Sequence, residues 1–165
     1  MKKLIAVTPR LLTEDGVEKE FVNRSYVKSL LKRDANIIML TLNNPAIDEI
    51  LDLCDGIIFQ GGLDIYKFHY DILEYAINNN IPVLGICMGM QIMGLYANNQ
   101  EEDDLVKIKN HYDKEHLINN KKNSILYKLF GDKLIVNSRH NYMLEYVNIK
   151  MYNYVNNKFI YKEKI

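Results

Sequence analysis

The stretch Pro82-Val83-Leu84-Gly85-Ile86-Cys87-Met88-Gly89-Met90-Gln91 decides how the rest of the chain is read. Ile81 to Ile86 is a short apolar run with no charge, the pattern of a strand buried on both faces, and Met88 to Ala97 then reads as an apolar helix. Cys87 stands at the junction. Glycine at 85 and 89 lets the strand and helix backbones approach closely, so a sharp turn presents the residue between them. This is the pattern of a G-x-S-x-G nucleophile elbow with cysteine in place of serine. The thiol then stands at a helix N-terminus, where unpaired backbone N–H groups and the positive end of the dipole favour negative charge, and the thiolate is the nucleophilic form. The plain alternative is a small buried cysteine in an α/β core, the usual place for a free thiol. A strand before it, a helix after it and Gln91 one turn on favour the elbow.

Working outward, Gly56 to Gln60 is a buried strand that ends in Gly61-Gly62. Leu4 to Thr8 and Asn36 to Leu42 are two more. Helical spacing covers Glu18 to Arg33, the segment opened by Pro45 with Ile47, Ile50, Leu51 and Leu53 on one face, and His69 to Asn79. The polar segment through Gly16 reads as a loop. Strands alternating with helices predict right-handed crossovers and a mainly parallel sheet covered on both sides. Ligands bind such sheets at the carboxyl ends of the strands, which places Gly61-Gly62 and Cys87 at one end of the domain. The second half is more polar. Asn98 to Asn123 reads as loop with short extended pieces, Ser124 caps a helix over Ile125 to Phe130 that Gly131 ends, and Leu134 to Val136 is a strand. Ile149 to Tyr154 and Lys158 to Lys162 read as a hairpin.

Composition narrows the function classes. A length of 165 residues, 48% apolar and 25% charged, suits one soluble domain. Basic and acidic residues balance at 21 each, so nothing points to nucleic acid or an anionic membrane, and a small substrate or a protein partner fits better. Cys54 and Cys87 are too few for a disulfide framework, and the chain reads as cytoplasmic. The apolar run after Lys2-Lys3 breaks at Thr8-Pro9, too short for a signal segment, and no stretch approaches transmembrane length.

Gly61-Gly62 either ends a strand or turns a backbone N–H towards a substrate carbonyl, forming with the N–H of Met88 the two-donor oxyanion hole that acyl transfer needs. His111 and His116, with no cysteine nearby and no third ligand at fixed spacing, read as loop histidines rather than metal ligands. His140, in Val136-Asn137-Ser138-Arg139-His140-Asn141, follows a strand end and faces the site. His69 reads as the polar start of a helix, and Cys54 as structural and buried.

Three segments together carry a resemblance: Asp55-Gly56-Ile57-Ile58 through Gly61-Gly62-Leu63-Asp64, then Pro82 to Gln91, then Val136 to His140. They resemble the class I glutamine amidotransferase-like superfamily, and within it are most similar to the γ-glutamyl-γ-aminobutyrate hydrolase-like, peptidase-like branch. The resemblance implies a flavodoxin-like three-layer α/β sandwich with a mainly parallel central sheet and a C-terminal β-hairpin. It implies hydrolysis of a γ-glutamyl amide through a cysteine thioester, with no cofactor and no metal. By the same resemblance Cys87 is the nucleophile, Gly62 and Met88 supply oxyanion N–H groups, and Gln91, Ser138, Arg139 and His140 face a small γ-glutamyl substrate. A homodimer is left open.

The departures are specific. Met88 stands where this branch commonly has arginine, the segment between Asp64 and His69 is short, and Asn98-Asn99-Gln100 replaces a glycine-rich turn. The late His-Pro-Glu motif that supplies base and orienter is not in the sequence. Residues 1–165 are therefore expected to form a single C-terminally short domain lacking the family's final strand and helix. His140 is expected to shape the pocket, with a surrogate base as its other role. Two other readings stay open: a γ-glutamyl-binding protein without turnover, and a cysteine redox or stress protein of similar fold.

Overall fold

In the computed structural model, which describes residues 2–146, the chain opens with β1 (Leu4–Val7) and two further strands, β2 (Arg10–Glu14) and β3 (Val17–Phe21). It then alternates α1 (Arg24–Leu31), β4 (Asn36–Met39), α2 (Ile47–Asp52), β5 (Gly56–Phe59), α3 (Lys67–Asn78), β6 (Val83–Gly85) and α4 (Met88–Asn98). A 3-10 turn at Glu102–Asp104 leads to β7 (Val106–Lys107), β8 (Lys114–Asn119), α5 (Ile125–Phe130), β9 (Lys133–Ser138) and β10 (Tyr142–Met143).

The central sheet has the order β4-β1-β5-β6 and every pair in it is parallel. Counting only these strands along the chain, the order is second, first, third, fourth, which is the flavodoxin-like winding. The chain leaves β1 in one direction to reach β4 and returns past β1 to lay down β5. That reversal leaves a crevice beyond the carboxyl ends of β1 and β5, the place where open parallel sheets bind ligands.

All four residues of β5 are buried, as a central parallel strand requires. Ile57 and Phe59 join Ala6, Leu40, Leu51, Ile72, Leu73, Ala76, Val83, Met88 and Ile92 in one core. Burying a side chain of the Ile, Leu or Phe class stabilises the fold by about 1.5–3 kcal/mol. α4 packs on β5 and β6 and against α3, so its position is fixed by core packing and not by its own helix propensity.

Three sequence expectations are corrected. The segment through Gly16 is not a loop but the start of an antiparallel hairpin, with Arg10 opposite Phe21 and Glu14 opposite Val17. Its turn is Asp15-Gly16, both with positive φ (54° and 76°), the two-residue geometry that matches strand twist. Because β3 takes residues up to Phe21, the helix predicted from Glu18 begins only at Arg24. Asn23 caps it, its Oδ1 accepting from the N–H of Ser25 at 3.0 Å.

The polar stretch before Asn123 contains a six-residue strand, β8, paired antiparallel with β9. This ribbon is largely exposed on both faces, so its residues carry no clean apolar alternation. The Pro45 helix begins at Ile47, with Pro45 in the preceding turn. The Ser124 cap is as expected, its Oγ accepting from Tyr127 N–H at 3.0 Å, and Gly131 ends α5 at φ 78°. The hairpin expected within residues 149–162 lies outside the described residues.

Candidate active site

The strand-to-helix turn is built by two glycines. A Cβ on Gly85 would lie 2.5 Å from the carbonyl oxygen of Gly89, and one on Gly89 would lie 2.3 Å from the carbonyl oxygen of Phe59. Both obstacles are backbone, so only glycine fits. Between them Cys87 is exposed and adopts φ 55° and ψ −112°, a conformation that side-chain-bearing residues rarely hold unless the surroundings over-determine it. Its carbonyl oxygen accepts from the N–H groups of Met90 (3.0 Å) and Gln91 (3.1 Å), which starts the helix, while Ile86 N–H donates to Phe59 at 3.0 Å and pins the strand end.

The end of β5 is held by Gln60, which is completely buried. Its Nε2 donates to the carbonyl oxygens of Thr8 (2.7 Å) and Phe21 (3.0 Å), and its Oε1 accepts from Asn23 N–H (3.2 Å). One side chain thus ties together the ends of β1 and β3 and the cap of α1. A buried amide satisfied at both ends rigidifies its surroundings. Beyond it, Gly61 donates its N–H to the Tyr26 hydroxyl at 3.0 Å. A Cβ on Gly61 would lie 3.2 Å from Cys87 Cβ, and one on Gly62 would lie 3.1 Å from Met88 Sδ and 2.9 Å from Arg10 Nε. The fold therefore brings Gly61-Gly62 against Cys87-Met88. The N–H groups of Gly62 and Met88 meet no acceptor among the described residues.

The second motif reaches this end of the sheet through α4. Gln91, largely buried, donates from Nε2 to the carbonyl oxygen of Tyr142 at 2.8 Å. His140 donates from Nδ1 to the same oxygen at 2.9 Å. Ser138 and Arg139 turn elsewhere. The buried Ser138 Oγ pairs with His116 Nε2 at 2.8 Å, and the exposed Arg139 lies 3.6 Å from Asp113 Oδ1.

His111 stands with its ring centroid 4.8 Å from that of His116 and 4.7 Å from that of His140, so the two loop histidines and the motif histidine form one cluster. Burial, followed by His140 and His116, lowers the pKa of His111. Among the described residues no group of three or more His, Cys, Asp or Glu side chains is arranged to hold a metal ion.

The comparisons with known proteins accord with this geometry. The family model for class I glutamine amidotransferases matches residues 19–159. The chain belongs to the class I glutamine amidotransferase family. A glutamine amidotransferase-like protein of Rickettsia prowazekii is 27% identical over 124 residues, which are 59% of this chain and 44% of that protein. A GMP synthase of Prochlorococcus marinus, described as glutamine-hydrolysing, is 35% identical over 113 residues, 62% of this chain and 21% of that protein. The crystal structure of a glutamine amidotransferase from Thermotoga maritima superposes with a TM-score of 0.60 at 16% identity, over 87% of this chain and 64% of that one. The chain spans less than half the length of these curated relatives.

Several residues of this amidotransferase-family chain carry the site without having stood out in the sequence. Gln60 reads as an ordinary strand end, and Tyr26 and Arg10 lie far away in sequence. His69 stands in the first turn of α3, the polar helix start that the sequence indicates, and it is fully buried there. Its ring stacks on Tyr66 and meets Phe59 and Phe68 edge-on, and its Nδ1 accepts from Tyr66 N–H at 3.2 Å. Burial holds its pKa down to about 4, and its Nε2 meets no partner among the described residues. Cys54 is only half-buried, with its thiol donating to Ile50 and its pKa raised by burial and then by Asp55. No helix among the described residues is long and apolar enough to cross a membrane.

Proposed function

We propose that this chain cleaves a γ-glutamyl amide through Cys87. The observation that carries the reading is the pairing of an exposed, conformationally strained cysteine with two adjacent backbone N–H groups, of Gly62 and Met88, that meet no acceptor among the described residues. The Cys87 sulfur adds to the amide carbon, and the two N–H groups hold the oxygen that becomes negative. Removing one donor from an oxyanion hole of this kind costs about 10²–10³-fold in rate. The C–N bond then breaks, the thiol proton ends on the departing amine, and a γ-glutamyl thioester remains. Water cleaves that thioester, giving glutamate and restoring the thiol.

Gln91 and His140 shape the γ-glutamyl pocket in this reading. Their donors are committed to Tyr142, which leaves Gln91 Oε1 and His140 Nε2 for a ligand. Ser138 and Arg139, which pair with His116 and Asp113, contribute no direct ligand contact in this reading. The glutamine-hydrolysing GMP synthase among the relatives supports a γ-glutamyl amide as the substrate class. An exposed catalytic thiol suits a reducing, cytoplasmic setting.

A γ-glutamyl diazo-ketone amino acid tests the reading. Stoichiometric labelling at Cys87, seen by mass spectrometry and lost in Cys87→Ala, is the expected result. Reversible binding of the compound without labelling would replace it with a γ-glutamyl-binding protein. No interaction at all with the folded chain would overturn both.

A further inference from the structure

We infer that Arg10 is the carboxylate-recognising residue of this site, so that the substrate offered to Cys87 carries a carboxylate as well as the amide to be cleaved. The inference rests on the reading of Cys87 as the reacting group. Arg10 opens β2 immediately after Pro9, at the carboxyl end of β1, where the sheet reverses its winding. Two contacts hold its side chain. The guanidinium carbon stands 5.4 Å from the centre of the Phe21 ring on the partner strand. The Nε and Cδ atoms lie 2.9 and 3.3 Å from where a Cβ on Gly62 would be, so the missing side chain at 62 is what admits the arginine.

Burial sets this cation apart: every other described lysine and arginine is exposed, and several of those, Arg24 and Lys28 among them, also have no carboxylate of the described residues within 4.0 Å. Lys2, Lys3, Lys19, Lys67 and Arg139 all lie within 4.0 Å of a carboxylate, and all are well exposed. Arg10 is half-buried, and among the described residues no carboxylate lies within that distance of it. Asp64 and Glu18 share its neighbourhood around Tyr66 without pairing with it. A partly desolvated guanidinium held on an aromatic face keeps its planar donor fork oriented, and that fork matches a carboxylate with two parallel hydrogen bonds. Gly62, which it touches, also bears one of the two N–H groups proposed for the reacting carbonyl. The carboxylate that Arg10 binds is therefore close to the scissile bond: either the α-carboxylate of the γ-glutamyl group or one on the leaving amine.

Alkylation of Cys87 tests the subsite without requiring turnover. Iodoacetate carries a carboxylate and iodoacetamide does not, and the rate of each is read on the Cys87 peptide. Arg10→Gln is expected to slow iodoacetate on the order of fivefold, as the loss of one nearby cation at an effective dielectric between protein and water predicts. Iodoacetamide should react at an unchanged rate, and Arg10→Lys should keep part of the preference. An unchanged ratio of the two rates in natively folded Arg10→Gln overturns the inference. Should the glutamine variant not fold, an unchanged ratio in a folded Arg10→Met, which also removes the charge, overturns it equally.

Three anilides assign the carboxylate. A KM increase in Arg10→Gln confined to γ-glutamyl-4-aminobenzoate, sparing γ-glutamyl-4-nitroanilide, places the carboxylate on the leaving amine. An equal increase with both, absent for 4-aminobutyryl-4-nitroanilide, places it on the glutamyl α-carbon. Diazo-ketone labelling with an unchanged alkylation ratio would leave the γ-glutamyl reading standing and remove the subsite. A changed ratio with no diazo-ketone labelling would do the reverse.

Discussion

Gln91 of α4 and Tyr142 of β10 are joined by a hydrogen bond of 2.8 Å from the glutamine Nε2 to the tyrosine carbonyl oxygen. Because His140 donates to the same oxygen, the second motif is fastened to α4 through a single acceptor. Replacing Gln91 by Met keeps the volume and removes the donor, and is expected to cost about 1–2 kcal/mol of stability. Gln91→Glu should cost more, because an ionised carboxylate would face a carbonyl oxygen. Urea unfolding midpoints of the two variants check this. Equal midpoints would mean that the contact contributes nothing to the fold.

Cys87 bears backbone strain that glycine would not feel. Cys87→Gly is expected to raise stability by about 1 kcal/mol, the relief of a rarely populated φ/ψ region set against the extra chain freedom of glycine. It should also abolish diazo-ketone labelling. Cys87→Ala, which keeps a Cβ, should lose labelling with little change in stability. The comparison of thermal midpoints separates strain from chemistry.

Gly89 and Gly94 occupy the same helix but predict different costs. A methyl at 89 meets the Phe59 backbone at 2.3 Å and cannot be relieved without moving β5, so Gly89→Ala should destabilise by about 3 kcal/mol or more. A methyl at 94 meets Cδ1 of Leu144 at 2.1 Å, the far end of a flexible side chain. Gly94→Ala should be milder and should be rescued by Leu144→Ala. Non-additive unfolding energies in that double mutant are the expected signature.

His69 makes stability depend on pH. Its folded pKa of about 4 lies below the ordinary 6.5, so the native state binds fewer protons than the unfolded chain in between. Stability is therefore complete above about 6.5, falls as the pH drops through that window, and levels off below about 4, a change on the order of 3 kcal/mol. His69→Gln retains an acceptor for Tyr66 N–H and removes the titration. The acid limb of urea midpoint against pH should flatten in that variant.

His140→Ala distinguishes pocket from base. Loss of a pocket contact should weaken diazo-ketone analogue binding about fivefold, the value of one hydrogen bond, and leave iodoacetamide alkylation of Cys87 unchanged. Slower alkylation with a shifted pH profile would assign His140 to proton transfer instead.

The elbow, the Gly61-Gly62 end of β5 and the Ser124 cap were legible because each is local. Two glycines four residues apart around a cysteine, or a serine before an apolar turn, impose their geometry within a few bonds. The β2–β3 hairpin was also written locally, in Asp15-Gly16, but Glu14, Glu18, Lys19 and Glu20 hide the strand pattern because neither face of the ribbon enters the core. β8 was obscured in the same way. His69 could not be read as buried from its neighbours, since what covers it includes Phe59 from another element.

By itself the sequence determined the parallel α/β winding and the residue at the strand-to-helix turn, because apolar runs and obligatory glycines act on adjacent backbone. Only the tertiary structure decided that Gln60 would bind three segments together, that Gln91 and His140 would share Tyr142, and that Arg10 would lie against Gly62 with no carboxylate partner among the described residues. A side chain's partner depends on how segments tens of residues apart are laid across the sheet, and no local spacing encodes that path.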